Sequence, residues 1–284
     1  MEIDRRHFVN LTAAGGIGLL LPGTYSTVRA ATTGSAQFLD HFSGEGAKAL
    51  DPLPLITGVG FNGGLRYDDT RASYPNGVSV CIQPSCRIED AGKSGDPGVL
   101  ALFHIAVLNL PVNAGSGEAL RQLMRFAVET EKLDPEKVVF VSTEVFEPHF
   151  SSDPLLQKGR FVKRDLQEAR AAGDGSGFFS PDGHPDTDGF NSVSIHYPIE
   201  DGSEGPLAYP LSGFLEIGEI SLADAASGTA GTVGGGFGLE RLALASGRQA
   251  PDYAESRARL LDLAKQEAAA TGSALPEGLK AFAD

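Results

Sequence analysis

The sequence predicts a mixed α+β fold, and three observations carry that prediction. Short β-branched or alternating runs recur along the chain, at Val78–Ile82, Val138–Val141, Ser192–Tyr197 and Phe214–Leu222. Between and after them lie stretches with apolar residues at helical spacing, the clearest being Glu118–Leu133 and Asp252–Ala270. Clusters of glycine, proline, aspartate and serine separate the runs, so neither periodicity takes over the chain. At 284 residues, 41% hydrophobic and 21% charged, the chain has room for one large domain of ordinary globular composition.

The N-terminal stretch reads as a targeting segment. Asp4-Arg5-Arg6-His7-Phe8-Val9-Asn10 is a twin-arginine pattern, followed by the mildly apolar, Gly- and Ala-rich run Leu11–Leu21 and a small-residue end at Val28-Arg29-Ala30-Ala31. The expected organisation is therefore a twin-arginine signal over residues 1–30 and a single domain over residues 31–284, with export to the periplasm or beyond. If residues 1–30 form instead a short helix of the domain, the chain is cytoplasmic. The apolar run is shorter than the roughly 18 residues of a membrane span, so no stable span is expected. The net charge of −14 and the lack of any lysine-rich run argue against a broad nucleic-acid footprint.

In chain order, residues 31–35 read as a small polar linker, and Ala36–Leu50 as a helix over Phe38, Leu39 and Phe42 that glycines end. Asp51–Ile56, with two prolines, is an extended approach, and Phe61–Leu65 a turn. Val78–Ile82 is a strand leading through Gln83-Pro84-Ser85-Cys86-Arg87-Ile88-Glu89-Asp90 into a loop, Ala91–Gly98. Val99–Leu110, nearly all apolar, is a buried strand holding His104, whose default role on such a strand is a satisfied core histidine. Cys81 and Cys86 are too few for zinc, and a disulfide between them needs a sharp turn at Pro84, so both are expected as inert thiols.

Glu118–Leu133 follows as a helix whose Leu120, Leu123, Met124, Ala127 and Val128 share a face, then a turn at Asp134-Pro135-Glu136-Lys137 and the strand Val138–Val141. Pro148–Pro185 reads as loop with one short helix near Arg164–Ala172. Asp182, His184, Asp186 and Asp188 alternate along a loop as oxygen or nitrogen ligands could for a hard cation, but the closing glutamate of an EF-hand is missing, and a solvated loop is the expectation. Gly205–Ser212 is a loop. The strand Phe214–Leu222 carries Glu216 and Glu219, on opposite faces if its pleat is regular. Tyr253, Leu260, Leu261, Leu263 and Ala264 line the helix Asp252–Ala270, and a short terminal helix lies over Pro276–Asp284.

The most distinctive stretch is Gly234-Gly235-Gly236-Phe237-Gly238-Leu239-Glu240-Arg241-Leu242-Ala243. Its glycines allow close approach of a backbone or ligand, and Arg241 lies where a strand hands over to a helix, a place suited to phosphate oxygens. Gly-Phe-Gly-Leu-Glu-Arg-Leu resembles motif 3 of the class II aminoacyl-tRNA synthetases, in the form found in alanyl-tRNA synthetases. Gln83-Pro84-Ser85-Cys86-Arg87-Ile88-Glu89-Asp90 with Gly92-Lys93-Ser94-Gly95 is similar to the archaeal-type alanyl synthetase motif 2, and Phe214-Leu215-Glu216-Ile217-Gly218 to its Leu-Glu-Ile strand. The helix, the Asp-Pro-Glu-Lys turn and its strand also occur there in this order.

The resemblance implies an antiparallel sheet flanked by helices, ATP and Mg²⁺ as cofactors, and a carboxylate or amino acid as substrate. Residue by residue, it implies Arg87 at the α-phosphate and Arg241 at the γ-phosphate as catalytic groups. It implies Arg87, Glu89, Glu216, Gly236, Gly238 and Arg241 around the nucleotide, and Glu216 and Glu219 at the metal. Four positions depart from the family: His104 stands for a carboxylate, Glu219 for an asparagine, and Gly234-Gly235 for Asp-Thr, whose aspartate binds the alanine amino group. Little of the chain follows the motif, so with its acidic charge tRNA is not expected as a partner.

Three functions follow as expectations. The first is an enzyme forming an acyl adenylate for a small acceptor. The second is an exported pseudoenzyme or small-ligand-binding protein that keeps the pocket; confirmed export favours it. The third is an exported enzyme of unrelated chemistry, with His104, His196 and a glutamate as acid–base groups.

Overall fold

The computed structural model describes residues 33–56, 77–86, 99–111, 116–180, 190–199, 207–222, 232–248 and 252–280. The fold they form is α+β: a large, mostly antiparallel sheet flanked by helices. In chain order the helices are α1 (Thr33–Gly44), α2 (Ser116–Arg125, continued by a π-helical turn over Phe126–Thr130), α3 (Glu147–Ser152), α4 (Leu166–Ala172), α5 (Leu239–Ala245), α6 (Tyr253–Thr271) and α7 (Glu277–Lys280). The strands are β1 (Lys48–Ala49), β2 (Ser79–Ser85), β3 (Phe103–Pro111), β4 (Val139–Ser142), β5 (Arg160–Lys163), β6 (Phe178–Phe179), β7 (Phe190–Pro198), β8 (Phe214–Leu222) and β9 (Thr232–Gly238).

The sheet runs β1-β2-β3-β9-β8-β7-β4-β5, with β6 added on β7. Pairing is antiparallel except for β1 with β2 and β4 with β5. The two segments read from sequence as strand, loop, strand are the hairpin partners β2 and β3, in register from Ser79↔Asn109 to Ser85↔Phe103. The glycine-rich β9 lies directly against β3, so residues more than 120 apart in sequence become neighbours through Gly236↔Val107 and Gly238↔Ile105.

One face of the sheet is the main core. Val80, Ala106, Leu108, Leu110, Val193, Ile195, Ile220 and Phe237 point to it and meet Phe38 and Phe42 of α1, Leu120 and Leu123 of α2, and Leu239 and Leu242 of α5. The stripe expected over Glu118–Leu133 is the buried side of α2, with Phe126 as its anchor. Phe126 lies edge-on to Phe38 at 5.0 Å between centroids and 5.9 Å from Phe237. A second cluster joins Leu260, Ala264 and Ala268 of α6 to Leu55, Ile56, Cys86, Ala101 and Leu102. Both cysteines are buried, and Pro84 continues β2 instead of turning it. Beyond Val80 the only partner of β2 among the described residues is β3, so the missing N–H of Pro84 breaks no ladder there.

Several expectations change. The reading of residues 31–35 as linker gives way at Thr33, where α1 begins. The stretch read mostly as loop between Pro148 and Pro185 contains α3, β5 and β6 besides α4. Arg160–Lys163 is too short to display a period, and it is a strand because it pairs with β4 along its whole length. The signal segment, the Phe61–Leu65 turn, the Ala91–Gly98 loop and the Asp182–Asp188 loop lie outside the described residues. No described helix is long and apolar enough to cross a membrane.

Candidate functional site

Strand alternation assigns each expected residue to a face. Opposite the helix-covered core, the other face of the sheet carries Gln83 and Cys81 of β2, Ile105, Val107 and Asn109 of β3, Gly236 of β9, and Ser192, Ser194 and His196 of β7. Glu219 pairs with Ser194 and with Gly236, so it belongs to this face. Glu216 does too. The register passes from Ile195↔Gly218 to His196↔Glu216, leaving Ile217 as an extra residue on β8. That bulge cancels one step of alternation, so Glu216 and Glu219 stand on the same face, whereas a regular strand would separate them. Ile217 and Ile220 both enter the core as a result.

Arg241 joins this pair. Gly238 ends β9 with extended backbone and serves as N-cap of α5, which puts Arg241 in the first turn. Its Nη1 donates to the backbone carbonyl of Glu216 at 3.1 Å. It is close enough to His196 to act on it electrostatically: burial, then the Arg241 charge, lowers the imidazole pKa from 6.5 to about 4, with Asp174 opposing. Thus Arg241, Glu216 and His196 gather at one end of β7 and β8, with Glu219 one row away.

The glycines have a structural reason. A Cβ on Gly236 would lie 2.0 Å from the carbonyl oxygen of Ala106, and one on Gly235 would lie 2.5 Å from the carbonyl oxygen of Glu219. Both allow β9 to sit tightly between β3 and β8. Gly238 differs, because its Cβ would meet nothing nearer than 3.8 Å.

Glu240, next to Arg241, turns to the core side of the sheet. It is buried, and its carboxylate accepts from the backbone N–H of His104 at 2.9 Å and lies 2.7 Å from His104 Nδ1. His104 shares the core side of β3 with Ala106, away from His196. The two histidines expected as a possible acid–base pair therefore occupy opposite faces of the sheet.

A polar cluster that sequence reading missed borders the site. Ser194 Oγ lies 2.8 Å from both His196 Nε2 and Ser176 Oγ. Arg164 Nη1 donates to Asp174 Oδ1 at 2.8 Å and to the Ser176 carbonyl at 2.7 Å, and its guanidinium stacks on Tyr209 at 3.9 Å. Tyr209 donates to Asp174 Oδ2 at 2.8 Å, and burial raises its phenol above the usual value. The Cα of Gly175, at φ +88°, faces Glu219, whose Oε2 would be 2.5 Å from a Cβ there.

Arg87 and Glu89, expected at the nucleotide, lie outside the described residues. Among the described residues no three His, Cys, Asp or Glu side chains come together as a metal site. Glu216 and Glu219 alone form a two-carboxylate face, a donor set that suits Mg²⁺ when phosphate oxygens and water complete the shell. A scan against protein-family models and a search of curated proteins found no match to this chain.

Proposed function

We propose that this chain binds ATP with Mg²⁺ across β8 and β9 and activates an amino acid or another small carboxylate as its adenylate, on a core like that of alanyl-tRNA synthetases and without recognising tRNA. The observation that carries this reading is the placement of Arg241 at the strand-to-helix junction, hydrogen-bonded to the Glu216 carbonyl beside two carboxylates on one face. A guanidinium there offers forked donors to phosphate oxygens. Glu216 and Glu219 would hold Mg²⁺, which supplies neutralising charge for the phosphates. In the reaction a substrate carboxylate oxygen attacks the α-phosphorus and pyrophosphate leaves. Arg87, by its resemblance to the motif 2 arginine, would stabilise the charge that builds on the α-phosphate. His196, held neutral at pH 7, adds no positive charge beside Arg241 and can accept or donate one hydrogen bond to the substrate.

One observation favours a second reading, a small-ligand-binding protein that retains the fold without the chemistry. His104, at the position of a family carboxylate, is sealed against Glu240 on the core side of the sheet. The twin-arginine pattern fits that reading as well, since exported proteins meet little ATP.

Calorimetric titration of the full chain with ATP·Mg²⁺ tests the proposal, with Arg241→Ala alongside. Binding that weakens at least about tenfold in Arg241→Ala, followed by carboxylate-dependent pyrophosphate exchange, supports adenylation. No heat up to millimolar ATP sinks it. Binding without exchange favours the second reading.

A further inference from the structure

We infer that His196 meets the bound ligand only as a hydrogen-bond acceptor, and that the ligand group against it is a hydroxyl or an amine. A chain of hydrogen bonds from His196 to Asp174 assigns this role. His196 Nε2 lies 2.8 Å from Ser194 Oγ, and Ser194 Oγ lies 2.8 Å from Ser176 Oγ. Ser176 hydrogen-bonds the Tyr209 phenol, and the phenol oxygen lies 2.8 Å from Asp174 Oδ2.

The direction of the chain is fixed at its far end. Asp174, as a carboxylate, only accepts, so it takes the Tyr209 proton. Each hydroxyl has one proton to give. With its own proton spent on Asp174, Tyr209 accepts from Ser176. Ser176 then accepts from Ser194, and Ser194 from His196. In the neutral ring Nε2 therefore carries the proton, and Nδ1 keeps its lone pair. The carboxylate is anchored, because Asp174 Oδ1 accepts from Arg164 Nη1 at 2.8 Å and from the Ser176 N–H at 3.0 Å. Arg164 in turn is stacked on Tyr209.

Two observations leave Nδ1 to the ligand. Among the described residues Ser194 is the only hydrogen-bond partner of the ring. His196 also keeps 7% exposure beside Glu216, Glu219 and Arg241, which are half-buried, so this part of the face reaches solvent.

A lone pair repels phosphate and carboxylate oxygens. It leaves the anion to Arg241 and takes an O–H or N–H. For the source of that donor the inference rests on the adenylating reading: a ribose hydroxyl of ATP, or a hydroxyl or amine of the acid.

¹⁵N NMR of the full chain, with its histidines labelled, reads the tautomer, and His196→Asn identifies the signal among the six histidines. The Nε2–H form is expected in the wild type at about pH 7. Tyr209→Phe keeps an aromatic ring on Arg164 and removes the proton given to Asp174, so a mixture with the Nδ1–H form is expected. A chain that only holds the fold would change stability and leave the tautomer as it is, and that result, or an Nδ1–H wild type, overturns the inference. Should Tyr209→Phe fail to fold, Ser176→Ala breaks the same chain and takes its place.

Calorimetry then locates the donor. ATP·Mg²⁺ is compared with its 2′-deoxy and 3′-deoxy forms, and, with ATP·Mg²⁺ present, glycine and glycolate are compared with acetate. The probe that lacks the donor is expected to bind at least about tenfold more weakly, and Tyr209→Phe to narrow that gap. A loss with a deoxynucleotide assigns the ribose, and a loss with acetate assigns the acid. Equal binding within both series overturns the donor assignment. An Nε2–H signal with no ATP binding retains His196 as an acceptor and defeats the adenylating reading.

Discussion

One carboxylate of Glu240 holds both the backbone N–H and the ring Nδ1 of His104, 136 residues away in sequence. With the carboxylate as acceptor, Nδ1 carries the proton. The pair ties the first turn of α5 to β3, and Arg241 is the next residue in that turn. Both partners are buried, so truncating either one strands polar groups. Glu240→Ala is expected to destabilise the fold by about 3 kcal/mol, and Glu240→Gln, which keeps one acceptor, by about 1–2 kcal/mol. Urea unfolding of both variants, with His104→Ala to close a double-mutant cycle, measures this. A cost below about 0.5 kcal/mol for Glu240→Ala would deny the tie any energetic weight.

The glycine strand gives a steric prediction with an internal control. Gly236→Ala puts a methyl 2.0 Å from the Ala106 carbonyl oxygen, between two paired strands that cannot part without breaking the sheet. A loss of about 4 kcal/mol or more, or failure to fold, is expected. Gly44→Ala, at the last residue of α1 with nothing within 4 Å, should stabilise by about 0.5–1 kcal/mol. Gly238→Ala, with its nearest atom at 3.8 Å, should fold normally. Thermal melts of the three rank them directly, and a stable Gly236→Ala would mean that β9 does not sit this tightly.

These two cases also mark what the sequence could reveal. The α+β class, the β2–β3 hairpin, β7 and β8 were legible because their periods are clean and their ends are marked by glycine and proline. The hand-over from β9 to α5 was legible because a glycine run meets a leucine-rich helical pattern. The bulge at Ile217 was not, since β8 reads as regular and only its pairing with β7 exposes the extra residue. Nor was the Arg164–Asp174–Tyr209 cluster, because its members come from three segments with no shared period. His104 is a core histidine as its apolar strand suggests, but the partner at its Nδ1, Glu240, lies 136 residues away and no local pattern points to it.

His196 should make stability depend on pH. Its folded pKa, about 4, lies below the ordinary 6.5, so below pH 6.5 the unfolded chain binds the extra proton first. The imidazole's contribution is therefore complete above about pH 6.5 and is lost progressively as pH falls toward about 4. The difference corresponds to about 3 kcal/mol. His196→Asn removes the titration, so its stability should fall less steeply across that window, whatever its absolute value. Denaturant unfolding at several pH values from 7 to 4 gives the two slopes, and parallel slopes would show that His196 is not held neutral.

The shared face of Glu216 and Glu219 leads to a metal-dependence prediction within the adenylating reading. Glu219→Gln and Glu216→Gln keep the shape of each side chain and remove its charge. Each should weaken ATP binding in the presence of Mg²⁺ by about tenfold or more, and leave binding in excess chelator within about twofold. Gly175→Ala probes the same carboxylate from outside the strand. Its methyl would lie 2.5 Å from Glu219 Oε2, and its backbone, at φ +88°, would be strained by about 1–2 kcal/mol. It should displace the carboxylate without neutralising it, giving a smaller loss of Mg²⁺-dependent binding than Glu219→Gln. Titrating Mg²⁺ at fixed ATP separates these outcomes. If Glu219→Gln binds ATP·Mg²⁺ as wild type does, Glu219 holds no metal, and its place against Gly175 and Ser194 is a matter of packing alone.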